Sequence, residues 1–331
     1  MEYKKTYLSY DEQANLLMKR GLVADHGELV GRLKDVGYYR LSAYTHPFRR
    51  RNAEGVLEEE FAPNTTLEKV WNYYLFDRCL RLHFLDAIER IEVALRVKIS
   101  HLHARESGPF GYIEKGYFPQ WSGYERKLQD SKIRIQKDAE TGDIVKTNIE
   151  YADHFFRKYG DKHEYLPIWM AIGMMEYGML TYFFVHSTNA IQDEIAREWN
   201  TSAKILRSWL SALRPLRNVC AHHGRIWNRV FTSSPRIPSK SVDERWYYVY
   251  SEKANKWVRP TRSKAHMTEC QLNSQQCAAF LFLCRHLMKQ VAPTSHWKER
   301  VEKCLQDAAR KGIPLSKIGL PEHWETHPLW K

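Results

Sequence analysis

The sequence contains no aspartate or glutamate between residues 199 and 242. This acid-free tract holds eight lysines and arginines, and nothing within it can neutralise them. Such a tract favours contact with phosphate groups. Because the whole chain also has a formal net charge of +12, we expect an anionic partner, with nucleic acid ahead of a membrane surface.

Paired cysteines and a clear membrane span are also missing. None of the six cysteines forms a C-x-x-C motif, so we expect small core residues in a reducing cytoplasm, with no metal and no cofactor.

The first residues lack the apolar stretch of a secretory signal. Residues 166–185 are long enough to span a membrane, but Glu176 lies at their middle, where a charge costs at least ~2.5 kcal/mol in lipid. We therefore predict a buried helix there, no membrane partner and a cytoplasmic location.

Apolar residues recur every three to four positions in most of the chain, which is the pattern of amphipathic helices. A capping box at Thr65 and Glu68 opens a long helix, and residues 38–61 are predicted to be a loop-rich connector. The predicted helical regions cover residues 10–21, 25–37, 65–103, 122–159, 167–186, 190–199, 203–230, 268–291 and 297–311, and residues 122–159 are expected to be one or two helices with a break near "ETGD". Two aromatic and β-branched runs around a polar turn predict a hairpin near residues 242–260. The expected fold class is all-α, a helical bundle with an N-terminal helical extension and this small β-hairpin insertion.

One stretch of the acid-free tract, "LRPLRNVCAHHGRIWNR", mixes arginine, asparagine and histidine with residues that belong in a core. On a single helix, at about 100° per residue, five polar residues in steps of three or four share one stripe. They are Arg214, Asn218, His222, Arg225 and Arg229. Arg217 lies about 60° from the stripe, within reach of its long side chain, and His223 points to the opposite side. The stretch is predicted to be one helix with a core side and a polar row.

Arginine, asparagine and histidine without nearby acids suit the cleavage of RNA by its own 2′-hydroxyl group. A histidine titrates near neutral pH and can move the proton, while an arginine holds the phosphate and stabilises its developing charge. The tract offers no carboxylates to hold Mg²⁺, so we expect metal-independent cleavage that leaves a 2′,3′-cyclic phosphate. The residues alone leave a second interpretation open, a phosphate-binding helix whose histidine takes no part in chemistry.

The pattern R-N-x-x-x-H occurs once, from Arg217 to His222, whereas the looser R-x4–6-H recurs in a chain with fifteen histidines. Around this motif the sequence resembles the bacterial abortive-infection proteins of the AbiD/AbiF type, members of the HEPN superfamily. Further stretches match that family in order: "YDEQANLLMKRGL", "VGYYRLSAYTHPFR", "LDAIERIEVALRVKI", "GPFGY", "LPIWMAIGMMEYGMLTYFF" and "GLPEHWETHPLW". The resemblance spans nearly the whole chain, and residues 240–262 look like an insertion.

The resemblance implies a HEPN-type bundle and a metal-independent endoribonuclease whose site forms where two HEPN helix pairs meet. Carried over, Arg217 and His222 are the catalytic pair and Asn218 assists them, while His223 is a substitute or a second RNA contact. One strict motif per chain then implies a symmetric homodimer. The family implies phage defence by RNA cleavage, with some AbiF-type members held in check by a small non-coding RNA.

Glu92 and Arg96 of "IEVALR" match a polar pair of the family, and their spacing also fits an ordinary i,i+4 ion pair. Residues 1–60 are expected to form an N-terminal helical region that contacts RNA, residues 61–235 a HEPN-like core, and residues 236–331 the β insertion with the C-terminal helices. The expected RNA-binding residues are Arg214, Arg225, Arg229, Arg49, Arg50 and Arg51.

A non-catalytic RNA-binding protein on a HEPN scaffold is the alternative function, because the same basic residues serve binding alone. A DNA-binding regulator is a weaker alternative, since the sequence shows no convincing recognition helix.

Overall fold

The structure, a computed structural model, describes residues 2, 6–259 and 272–331. These residues form α-helices and two small antiparallel hairpins, which confirms the all-α prediction. The helices are α1 (Tyr10–Lys19), α2 (His26–Val36), α3 (Tyr38–Thr45), α4 (Leu67–Ser107), α5 (Tyr124–Gln129), α6 (Glu150–Tyr159), α7 (Ile168–Met174), α8 (Tyr177–His186), α9 (Asn189–Glu198), α10 (Ala203–Ala221), α11 (Lys240–Asp243), α12 (Cys277–Val291) and α13 (Trp297–Arg310). The strands are β1 (Arg49–Arg51), β2 (Leu57–Phe61), β3 (Val249–Ser251) and β4 (Lys256–Val258).

Helix α4 is the centre of the bundle, because α3, α7, α10, α12 and α13 all pack against it. The Thr66 side chain caps its first turn by accepting a hydrogen bond from the Lys69 amide. The predicted start at Thr65 is therefore one residue too early. At the other end the chain turns at Gly108, whose φ of 72° suits a residue without a Cβ. Buried apolar side chains along α4 join a hydrophobic core that extends to the C-terminal helices.

The apolar segment predicted to form one buried helix is two helices, α7 and α8, separated by the extended backbone of Met175 and Glu176. Arg96 of α4 donates to the Ile172 carbonyl, which a continuous helix would pair with the Glu176 amide. The prediction of burial is confirmed for its apolar residues Leu166, Ile168, Ala171, Ile172, Met175, Leu180, Phe183 and Phe184. In the part of the chain that the structure describes, no helix is both long and apolar enough to cross a membrane.

Other predicted boundaries need correction. Between residues 130 and 149 the backbone is not helical; Asp138 accepts from the Glu140 and Thr141 amides and so closes a turn. The connector at residues 38–61 is also more regular than predicted, since it contains α3 and the β1–β2 hairpin.

The predicted hairpin near residues 242–260 is confirmed by β3 and β4, which pair Tyr250 with Trp257. Helix α12 begins at Cys277 rather than at Thr268. Residues 260–271, and with them the first part of that predicted helix, lie outside the described residues.

Three buried histidines, His103, His286 and His327, have a pKa that burial lowers, and the two with the largest shifts make the stability of this fold sensitive to acid. His103 lies between the Tyr117 hydroxyl at 2.6 Å and the Ser187 hydroxyl at 2.8 Å. Burial lowers the pKa of His103 to about 4, and burial is also the first cause that lowers the pKa of His327 to about 4. Both rings are thus neutral in the folded state and must take up a proton on unfolding at mildly acidic pH.

Each histidine should contribute its whole stabilisation above the unfolded-state pKa of about 6.5. We expect the free energy of unfolding to fall as pH drops towards 4, by on the order of 3 kcal/mol per histidine. Urea unfolding between pH 7 and pH 4.5 measures this loss. His103→Gln should flatten the dependence, whereas His101→Gln, at an exposed position of the same helix, should not. An unchanged pH dependence in His103→Gln would show that His103 does not contribute to the loss of stability in acid.

Candidate functional site

The R-N-x-x-x-H motif lies at the C-terminal end of α10, with Arg217 and Asn218 in the last turns and His222 at the C-cap. The helix ends there because His223 has a φ of 58° and donates to the Cys220 carbonyl at 3.0 Å. The next amide, of Gly224, donates to the Val219 carbonyl at 2.8 Å. This pair of bonds is the Schellman arrangement that terminates helices.

The prediction of one helix as far as Arg229 is therefore wrong. Arg225 and Arg229 follow the turn and leave the stripe. The first part of the stripe remains: Arg214, Asn218 and His222 are exposed at intervals of four residues along α10 and its C-cap. The motif thus presents an exposed imidazole at a helix end that the turn holds in place.

Arg214 lies against helix α8, where its guanidinium is 5.9 Å from the ring centre of Tyr182. A Cβ at Gly178 would come within 3.1 Å of the Arg214 Cζ, so glycine leaves room for this close approach. Arg217 is half-buried. On the other side of the turn, the Arg229 guanidinium is 5.7 Å from the ring centre of Phe231. Two arginines of the predicted stripe are therefore oriented by aromatic rings.

A buried ion pair of α4, Asp77 with Arg81, fixes the backbone that follows the motif. Asp77 Oδ1 accepts from the amides of Ile226 at 3.1 Å and Trp227 at 2.5 Å. Its other oxygen, Oδ2, accepts from the Tyr44 hydroxyl at 2.6 Å and from the Arg81 guanidinium. The carboxylate thus joins α4, α3 and the loop after α10 in one hydrogen-bond network.

The hydrogen bonds of this network oppose the effect of burial, which raises the pKa of Asp77. Burial raises the pKa of Asp77, and the Tyr44 hydroxyl, the Arg81 charge and two amides act in the opposite direction. Burial and the neighbouring Asp77 raise the pKa of Tyr44, so its hydroxyl stays a donor. Arg81 also donates to the Gly224 carbonyl at 3.5 Å. Four donors around one buried carboxylate compensate its lost hydration.

Helix α3 and the β1–β2 hairpin lie beside the same turn. Arg225 donates to the Ala43 carbonyl at 2.5 Å, and Arg40 donates to the His223 carbonyl at 3.3 Å. The pKa of His46 is lowered by partial burial and then by the charges of Arg49, Arg225 and Arg51, in that order. The structure therefore brings together predicted RNA-binding arginines from the hairpin and from the turn, with His46 among them. The sequence analysis did not single out His46.

The arginines of β1 have different surroundings. Arg50 pairs with Glu58 of the acidic strand β2 at 3.3 Å, and Arg51 donates to the Gly55 carbonyl at 2.7 Å. Within the described residues, the buried Nε of Arg49 has no hydrogen-bond partner. The acidic strand therefore neutralises part of the basic run, and Arg50 is the member with a carboxylate partner.

Glu92 and Arg96 form the i,i+4 ion pair that their spacing predicts, and both side chains are largely buried. Tyr177 connects the region of this pair to α10, because its hydroxyl donates to the Leu210 carbonyl at 3.2 Å. Burial is the main cause that raises the pKa of Tyr177; Glu92 raises it further, and Arg217 lowers it. Glu92 and Arg217 thus approach one tyrosine from two helices.

Together these features define a helical protein with a basic surface around the end of α10. A sequence profile of the Abi-like protein family matches residues 31–228, more than half of the chain, and the chain belongs to that family. The matched range includes the Arg217–His222 motif and the Asp77 network. No curated protein and no solved structure matches the chain. Membership of the family indicates a role in abortive infection, a form of phage defence.

Proposed function

We propose that this protein is a metal-independent endoribonuclease of the HEPN type that acts in phage defence by cutting RNA in the cytoplasm. The observation that carries the proposal is the exposed His222 at a fixed helix end, with Arg217 and Asn218 in the preceding turns. A proton-transfer group, a phosphate-binding cation and a hydrogen-bonding amide are the parts that RNA cleavage needs. The surrounding tract, residues 199–242, adds further cations and no acid.

The reaction is an internal transfer of the phosphodiester. His222 accepts the proton of the 2′-hydroxyl, the 2′-oxygen forms a bond to phosphorus, and the bond from phosphorus to the 5′-oxygen breaks. The leaving 5′-oxygen takes up a proton from a second imidazole. Arg217 binds the non-bridging oxygens and stabilises the charge that builds there. The products are a 2′,3′-cyclic phosphate and a 5′-hydroxyl end.

The chemical test of this proposal is an end analysis of cut RNA. Full-length protein should cut RNA in the presence of EDTA and leave a 2′,3′-cyclic phosphate, which phosphatase does not remove and mild acid opens. A substrate with a single 2′-deoxy nucleotide at the cut site should resist cleavage there. Cleavage of that substrate, or products with a 5′-phosphate, would contradict the proposed nucleophile.

In this proposal the second imidazole comes from a second copy of the chain, because the R-N-x-x-x-H motif occurs once. We propose a symmetric homodimer that brings two such motifs together. Apolar side chains more than half exposed lie beside the Glu92–Arg96 pair, Val93 and Val97 on α4, with Trp169 on the neighbouring helix α7. Exposed apolar side chains grouped in this way suit a protein interface.

Val97→Glu should convert the dimer into a monomer and reduce RNA cleavage, because it places a charge in the proposed interface. Val56→Glu is the matched control for the mass alone, since Val56 and Val97 are both 59% exposed and Val56 lies in the β1–β2 turn, beside the proposed RNA-binding arginines. Light scattering at micromolar concentration measures the mass. A wild-type monomer with full activity would rule out the shared site.

The alternative is a protein that binds RNA without cutting it. The observation that favours it is the group of arginines around His46, which serves phosphate binding whether or not His222 acts. The same surface is our proposed site for a small non-coding RNA that holds the enzyme in check. Growth separates the two functions, because expression of a ribonuclease should slow cells and His222→Ala should relieve the effect.

A further inference from the structure

Two thiols and an imidazole meet between the central helix and the last long helix, away from the motif of α10. Cys79 and His83 are one turn apart on α4, and Cys304 faces them from α13. The Sγ and ring nitrogen atoms of the three residues lie within 4.8 Å of one another. Cys79 Sγ and His83 Nε2 are 3.5 Å apart. Both cysteines are free thiols.

The two helices that carry this cluster are held in a fixed relation. Trp297 of α13 donates from its indole nitrogen to the His83 carbonyl at 2.8 Å. One turn further along α4, Asp86 accepts from Arg300 at 2.6 Å. Each of these contacts joins a residue close to the cluster on one helix with a residue of the other. The three side chains are therefore brought together by the packing of α13 on α4.

One separation in the cluster matches that of two ligands on a tetrahedral zinc ion, and the other two are no longer than 4.8 Å. With Zn–S near 2.3 Å and Zn–N near 2.0 Å, two ligand atoms on one ion lie about 3.5–3.8 Å apart. The distance from the Cys79 sulfur to the His83 nitrogen falls in this range. We propose that Cys79, His83 and Cys304 bind one Zn²⁺ ion that fastens α13 to α4. Its role is structural, and it is independent of the proposed ribonuclease site.

A cavity of about 150 Å³ lies beside the two cysteines and offers space for a fourth ligand. Cys79, Cys304, Asp307 and Lys311 contribute to its lining. Asp307 lies one turn after Cys304 on α13, and its charge raises the pKa of both thiols, which places its carboxylate close to them. A carboxylate oxygen or a water molecule completes the four ligands that zinc prefers.

Thiolate rather than thiol binds metal. A hydrogen bond from Cys304 is the largest influence on Cys79, and together with His83 it lowers the pKa of Cys79 to about 5 against the effect of burial. The same hydrogen bond, followed by burial, raises the pKa of Cys304. Binding of zinc would release the proton that the two thiols share.

The test uses full-length protein without an affinity tag, stripped with chelator under reducing conditions and then supplied with Zn²⁺ or Co²⁺. We expect about one Zn²⁺ per chain after dialysis, and a rise in Tm of roughly 5 °C at saturating zinc. Cobalt should give the thiolate charge-transfer absorption and the intense visible bands of a tetrahedral site. His83→Gln and Cys304→Ala should each weaken zinc binding by at least about tenfold and abolish the rise in Tm.

Cys284→Ala is the matched control, because it removes a fully buried thiol from α12 and should leave zinc binding unchanged. His83 is only half-buried, so His83→Gln should fold even if Cys304→Ala does not. Reduced wild-type protein that keeps no zinc and shows no thiolate absorption with cobalt would overturn the proposal. A Cys79–Cys304 disulfide in protein that binds no zinc after reduction would also overturn it.

Discussion

His222→Ala should lower the rate of RNA cleavage by about 10²–10⁴-fold, the usual value of general acid–base catalysis. Within the part of the chain that the structure describes, the exposed imidazole of His222 forms no hydrogen bond, and only the backbone amide of His222 takes part in the cap of α10. Its removal should therefore leave the fold intact. RNA affinity should stay within about twofold, since one neutral ring adds little to a polycationic surface. Single-turnover cleavage and filter binding on the same RNA separate the two quantities.

Three further variants make this result specific. His101→Ala, at an exposed histidine of α4, should cut RNA at the wild-type rate. Arg217→Ala should lower both cleavage and affinity, because it removes a phosphate contact as well as transition-state stabilisation. His223→Ala tests whether the neighbouring imidazole substitutes. A His222→Ala protein within twofold of the wild-type rate would leave the non-catalytic RNA-binding function as the better account.

Local pattern was sufficient to predict most of the helices and the motif. It was insufficient to predict where α10 ends, the break between α7 and α8, and the non-helical backbone at residues 130–149. A glycine normally occupies the left-handed position after a helix, but here His223 occupies it and Gly224 follows. The polar stripe therefore continued in the sequence analysis to Arg225 and Arg229, which the turn redirects. The hairpin near residue 250 was predictable because alternating aromatic residues and a polar turn are local signals.

The residues that the sequence analysis missed are those whose partners lie far away in the chain. Asp77 occupies a position of the buried stripe of α4, seven residues after Val70 and seven before Phe84. A charged residue at such a core position is a feature of the sequence that could have identified it. Its partners in the loop after α10 could not be inferred from spacing. The same holds for Cys304, because a search for C-x-x-C pairs cannot detect a cluster built from two distant helices.

Asp77→Ala should lower the free energy of unfolding by about 3–5 kcal/mol, because it leaves Arg81 as a buried cation without its carboxylate. Asp86→Ala is the control on the same helix. Asp86 pairs with Arg90 and Arg300 at a partly exposed position, so its loss should cost less than about 1 kcal/mol. Urea unfolding followed by circular dichroism measures both. Equal losses of unfolding free energy in the two variants would contradict the claim that burial makes the Asp77–Arg81 pair more important than the exposed pairs of Asp86.

The double variant Asp77→Leu with Arg81→Met separates stability from positioning. Apolar side chains in place of both charges remove the unpaired cation, so the double variant should be more stable than Asp77→Ala. It still leaves the amides of Ile226 and Trp227 without their acceptor, and the loop after His222 loses its anchor. A shift of about 1 Å in a catalytic group can cost about 10²-fold in rate, so cleavage should fall by at least about tenfold at temperatures where the variant is folded. Wild-type cleavage by the folded double variant would show that the motif keeps its position without Asp77.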